Sequence, residues 1–280
     1  MGKPSPELLA LAANIARQYA AFDQVEAVTL AGSQSSGMAE PTSDLDIYVY
    51  LQTPLSLNAR HEIANTHAVR AEVNNQFWEP GDEWIDQELL LSVDVMFRQV
   101  DWIDDQIDRV LVHFQASVGY TTAMWYNVLS SFVLFDRRGW FQQFQSRANQ
   151  PYPEALQRAI FVKNYPLLRQ NISSYKHQIE SAIRRQDLVS INHRVAALLA
   201  SYFDILFAAN RLPHPGEKRQ VQFALDRCIH IPDGMQRQIE MLLQSCSSIN
   251  GDIIPHLDTL LDKLDQTLVE TGLKPVETAA

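Results

Sequence analysis

A change of hydrophobic period divides this 280-residue chain. Up to residue 136, short runs rich in β-branched and aromatic residues alternate with helical stretches. After Arg137-Arg138-Gly139 the strand pattern stops, and only helical periodicities follow, broken at Pro151–Pro153, Pro166, Pro213–Pro215 and Pro232–Gly234. The first half predicts a helix over 7–22, opened by Ser5 and Pro6. It predicts strands over 25–32, 43–51, 71–78, 89–98 and 131–136, with helices over 57–66 and 101–111. Residues 79–88, EPGDEWIDQE, read as an acidic, turn-rich connection. The expected architecture is an α/β (α+β) domain with a small mixed sheet over 1–148, followed by an all-α helical bundle over 149–280.

Charge narrows the partners. With 23 basic against 33 acidic side chains the formal net charge is −10. A protein that grips a long nucleic acid carries a basic stripe; none is visible here, so nucleic acid is not the expected partner. Cys228 and Cys246 have no C-x-x-C or zinc spacing and read as reduced thiols. The N-terminus lacks the apolar core and cleavage site of a signal peptide, and no apolar run approaches the ~20 residues needed to span a bilayer. A cytoplasmic location without membrane contact is expected.

The chemistry concentrates in Ala31-Gly32-Ser33, ten intervening residues, then Asp44-Leu45-Asp46-Ile47. A strand ends at Gly32, which permits close backbone approach, and Ser33 opens a turn whose free N–H groups and hydroxyl suit a triphosphate. Asp44 and Asp46 are two apart on a strand and share a face, while Leu45 and Ile47 point into the core. A third carboxylate, Asp94, stands between Val93 and Val95 on a later strand. Three carboxylates suit a hard divalent ion, and they can hold two Mg²⁺ roughly 3.5–4 Å apart for in-line phosphoryl displacement. Asp94 is also the natural general base for an acceptor hydroxyl.

Apolar-Gly-Ser, a spacer, Asp-apolar-Asp-apolar and a later apolar-Asp-apolar together resemble the nucleotidyltransferase superfamily of DNA polymerase beta. The likeness spans residues 25–98, and Gly32, Ser33, Asp44, Asp46 and Asp94 match its pattern. SFVLFDRRGWFQQF (131–144) looks like the final strand and following helix of the antibiotic-modifying branch. The helical half looks like the partner domain of aminoglycoside and lincosamide adenylyltransferases. FAANRLPHPGEKR (207–219), through Asn210, Arg211, Pro215, Gly216, Lys218 and Arg219, resembles a stretch of uncharacterised bacterial nucleotidyltransferases.

This resemblance implies transfer of a nucleoside monophosphate, with ATP the default donor, to a hydroxyl of a small-molecule acceptor. It implies two Mg²⁺ ions and a helical domain that closes over the nucleotide. Lys218 and Arg219, after a Pro/Gly turn, are candidate triphosphate contacts beside a bland reading as a solvated helix end. Arg137 and Arg138 read as surface charges. Glu79, Asp82, Glu83, Asp86 and Glu88 read as an exposed loop or as a wall that attracts a cationic acceptor. A protein or tRNA acceptor, and a nucleotide-binding regulator with weak turnover, stand as alternatives.

Overall fold

The computed structural model describes residues 5–32, 43–76, 79–247 and 252–274. The chain forms two compact units. One takes in the residues up to Asp108 together with Asn127–Gln150, and the other takes in Arg109–Tyr126 and the chain from Pro151.

The first unit begins with α1 (Pro6–Ala20), where the Ser5 side chain accepts a hydrogen bond from the Leu8 N–H and Pro6 takes the first helical position. There follow β1 (Val25–Leu30), β2 (Leu45–Leu51), α2 (Leu57–His67), β3 (Ala68–Asn75), β4 (Gly81–Asp86), β5 (Ser92–Gln99) and α3 (Val100–Leu111). After α4 (Ala123–Ser130) come β6 (Phe132–Asp136) and α5 (Trp140–Ala148). The strands make one mixed sheet in the order β3-β4-β5-β2-β1-β6. β2 and β5, at its centre, are parallel, and the other neighbours are antiparallel.

Leu45, Ile47, Val49 and Leu51 of β2, with Val93 and Val95 of β5, form a core with Ile15 and Tyr19 of α1 and Ile63 of α2. Each such side chain contributes about 1.5–3 kcal/mol when fully buried. That layer fixes which face the polar residues of both strands must take.

Two expectations are corrected here. Residues 79–88 are not simply a connection, because Gly81–Asp86 is β4, paired on both sides. Its polar residues hide the alternation: Asp82 is buried against the Arg60 guanidinium at 2.5 Å and accepts from the Asn74 N–H. Asp86 is buried too, and accepts from the Glu88 and Leu89 N–H groups. Arg137 is not a surface charge. Its guanidinium donates to the Val25, Ala20 and Phe22 carbonyls, each at 2.8 Å, and so ties the end of β6 to the α1–β1 turn. Arg138 is exposed, as expected for a surface charge.

The second unit is helical: α6 (Glu154–Arg169), α7 (Tyr175–Arg184), α8 (Leu188–Ala209), α9 (Gln220–Arg227), α10 (Met235–Ser245) and α11 (Ile253–Glu270). The breaks at Pro151–Pro153, Pro213–Pro215 and Pro232–Gly234 fall between helices, but α6 runs through Pro166. Pro166 cannot bond the Val162 carbonyl four residues back. Val162 is 69% exposed, so that turn of the helix faces solvent. The carboxylates of α11 bind the other helices, with Arg169 on Asp262 (2.6 Å) and Asp265 (2.7 Å), and Lys176 on Asp258 (2.7 Å). Both cysteines are free thiols, Cys246 buried and Cys228 half-buried. Among the described residues no helix is long and apolar enough to cross a membrane.

Asp204 explains why 109–126 packs with the helices. It lies buried in α8 and accepts from the Thr121 N–H at 3.0 Å, the Thr121 hydroxyl at 2.7 Å and the Asn164 amide at 3.2 Å. Burial pushes its carboxyl up to about 7, and these hydrogen bonds offset the shift only in part. Between about pH 4 and about pH 7 the folded chain therefore keeps a proton that the unfolded chain has released. Its contribution to stability is present in full at the acid end and is lost as pH rises through the folded value. Urea midpoints taken across this window should fall with pH more steeply in the wild type than in Asp204→Asn. Equal slopes would contradict the assignment.

Candidate active site

The alternation that buries Leu45, Ile47, Val93 and Val95 turns Asp46 and Asp94 to the opposite face of the sheet. The parallel register sets them directly opposite each other. With strands about 4.8 Å apart, two half-buried carboxylates stand side by side. Asp44, also half-buried, immediately precedes β2. Like charges directly opposite one another on a sheet are destabilising, and a hard divalent cation taking oxygen ligands relieves that repulsion.

Gly32 is fitted against this pair. It has φ +63°, a conformation that side-chain-bearing residues rarely adopt. A Cβ built on it would overlap Asp46 Oδ2 and lie 2.5 Å from Asp46 Cγ. The backbone at the end of β1 thus reaches the Asp46 carboxylate as closely as a glycine allows. The Ala31 N–H donates to the Asp46 carbonyl at 2.9 Å and holds the two segments together. Ser33 lies outside the described residues.

The row of carboxylates extends further than the sequence pattern implies. Glu83 of β4 is opposite Asp94, and Glu72 of β3 is opposite Glu83. One face therefore carries Asp46, Asp94, Glu83 and Glu72 across four adjacent strands. Glu72 bonds the Arg70 guanidinium at 2.6 Å. The signal for Glu83 was present in the alternation of Asp82, Trp84 and Asp86 with Glu83 and Ile85, which the polarity of buried Asp82 and Asp86 disguised. The acidic segment is thus not one uniform wall: Glu79 and Asp82 are held by arginines, and Asp86 by backbone N–H groups. Among the described residues no set of three His, Cys, Asp or Glu side chains is grouped to hold a metal ion. The carboxylates brought together are the Asp46–Asp94 pair, with Asp44 two residues before Asp46. That chemistry fits Mg²⁺.

Further along the same face lies a buried polar group. Arg98 is buried, donates from Nε and Nη2 to the two Glu79 oxygens at 2.8 Å, and lies 3.7 Å from the centroid of the Tyr48 ring. Burial opposes the charge on Arg98, and the hydrogen-bonded Glu79 carboxylate offsets that penalty. Asn127 bonds both the Tyr48 hydroxyl and Arg98. Sequence reasoning missed this group, because Arg98 and Glu79 are nineteen residues apart and meet only through the pairing of β4 with β5. Lys218 and Arg219 belong to the helical unit, at the start of α9, and are exposed.

Any side chain at Gly32 should displace the Asp46 carboxylate. Gly32→Val is expected to abolish calorimetric binding of Mg²⁺–ATP while the circular dichroism of the sheet and helices persists. Unchanged ATP affinity in this variant would refute the role given to the close approach.

No family description matches the chain, and no curated protein matches it. Among solved structures, it is similar to a nucleotidyltransferase-like protein from Exiguobacterium sibiricum at 11% identity and a TM-score of 0.45, over 95% of this chain and 77% of that one. It is also similar to the Thermotoga maritima CCA-adding enzyme complexed with tRNA, at 10% identity and a TM-score of 0.34, over 99% of this chain and 85% of that one. Such identity transfers no side-chain chemistry from either protein.

Proposed function

We propose that the chain is a Mg²⁺-dependent nucleotidyltransferase that moves a nucleoside monophosphate, with ATP as the default donor, onto a hydroxyl of a small acceptor. One observation carries this reading: Gly32 abuts the carboxylate of Asp46, which stands in register with Asp94 on a single sheet face. A backbone cradle beside paired carboxylates is the arrangement that phosphoryl transfer needs, since positioning and electrostatics supply most of the catalysis.

In the reaction, the acceptor oxygen forms a bond to the α-phosphorus. The bond from that phosphorus to the bridging oxygen breaks, and pyrophosphate departs with the electron pair. Asp94 accepts the hydroxyl proton. Two Mg²⁺ held by Asp44, Asp46 and Asp94 would supply Lewis acidity, lowering the acceptor hydroxyl pKa and offsetting charge on pyrophosphate. Gly32 and Ser33 cradle the phosphates through backbone N–H groups and a hydroxyl. Lys218 and Arg219 are assigned to the triphosphate as cationic contacts. Glu83 and Glu72, beyond Asp94 on the same face, favour an acceptor that carries a positive charge.

The test is pyrophosphate release with Mg²⁺, each NTP and a panel of hydroxyl-bearing acceptors, neutral and cationic. Asp46→Asn should fall below about a tenth of the wild-type rate, a loss of more than about 1.4 kcal/mol of transition-state stabilisation. Lys218→Ala should raise KM for the NTP. Asp94→Asn should remove turnover while its Mg²⁺ titration of ATP binding moves by less than about tenfold. A larger displacement would make Asp94 a metal ligand first, and full turnover in Asp46→Asn would end the proposal.

A further inference from the structure

In the helical unit, α7 and α8 are joined by the turn Arg185–Asp187, and beside it lies a hollow of about 370 Å³. The lining follows from helical spacing. His177, Ser181 and Arg185 are four apart along α7 and its C-cap, and Ser190 and Arg194 are four apart on α8. Residues so spaced share one side of a helix. All five line the hollow together with Ser173, and no described carboxylate does.

The charges there are unusual for this chain, whose acidic side chains outnumber the basic ones 33 to 23. Neighbouring cations are matched, Arg169 and Lys176 by the carboxylates of α11. The guanidinium groups of Arg185 and Arg194 form no direct ion pair or hydrogen bond among the described residues, although Arg185 attracts Asp187 electrostatically. Asp187, the nearest acid in sequence, is engaged as the cap of α8, accepting from the Ser190 N–H at 3.0 Å and the Ser190 hydroxyl at 2.6 Å. Ser181 Oγ accepts from Arg184 at 2.7 Å, which leaves its own hydrogen to donate. His177 Nδ1 lies 3.0 Å from the Asn171 carbonyl and 3.1 Å from Ser174 Oγ.

Two guanidinium forks outside any direct ion pair, with serine hydroxyls, gathered around a concavity suit an anion with several acceptor oxygens in more than one plane, as a phosphate has. The volume is that of a small-molecule site. We propose that this hollow binds a small phosphomonoester. The assignment is independent of the chemistry on the sheet.

Calorimetric titration of the full chain with inorganic phosphate and with glycerol 3-phosphate, without Mg²⁺, tests it. Both should bind the wild type and Asp46→Asn alike. The double variant Arg185→Gln/Arg194→Gln should lose about tenfold or more in affinity for each. Arg185 is exposed, so Arg185→Gln alone should leave the fold intact, and it should show part of the loss. No binding of either compound at millimolar concentration, binding of inorganic phosphate without glycerol 3-phosphate, or equal affinity in the arginine variants would overturn the proposal. Loss of binding in Asp46→Asn would overturn it too, by moving the anion to the sheet.

Discussion

The parallel pairing of β2 with β5 is the constraint from which the rest of the α/β unit follows. Both strands bury one face as a continuous apolar layer, so their register cannot slip by one residue without turning that whole layer outward. The same register forces Asp46 and Asp94 into adjacency on the other face. The fold thus holds two carboxyl groups side by side. Gly32 adds a second restraint just past β1, because the Asp46 carboxylate fills the space that a side chain at Gly32 would need.

Three arginines of this unit are engaged quite differently from Asp46 and Asp94. Arg60 on Asp82, Arg98 on Glu79 and Arg137 on three carbonyls are all spent on structure. Breaking a buried pair such as Arg60–Asp82 would leave an uncompensated charge, at a cost of about 3–5 kcal/mol. These contacts fix the ends of β4, β5 and β6. They also take Glu79 and Asp82 out of the pool of acids that could meet a ligand, and leave Glu83 and Glu72 in line with the central pair.

Much of this was legible in the sequence, for identifiable reasons. Gly32, Asp46 and Asp94 announced themselves through period-two alternation and a glycine at a strand end, and the helices of the second unit through their 3.6-residue period and proline breaks. β4 was not legible, because Asp82 and Asp86 occupy buried positions that normally read as apolar. Arg137 was misread for a related reason, since its burial depends on carbonyls more than a hundred residues away. The helix through Pro166 was hidden because a proline usually ends one. The packing of 109–126 with the helices turns on Asp204 and Thr121, a contact spanning 83 positions that no local pattern signals. The roles of Ser33, Lys218 and Arg219 rest on the sequence pattern.

The central claim is that Asp46 and Asp94 together form a divalent-cation site that a nucleotide completes. Electron paramagnetic resonance of Mn²⁺, titrated into the chain with a non-hydrolysable ATP analogue, reads that site directly. The expected result is saturable, nucleotide-dependent uptake approaching two ions per chain, reduced when both carboxylates are changed to amides. Uptake that is the same in the wild type and in Asp46→Asn/Asp94→Asn would contradict it.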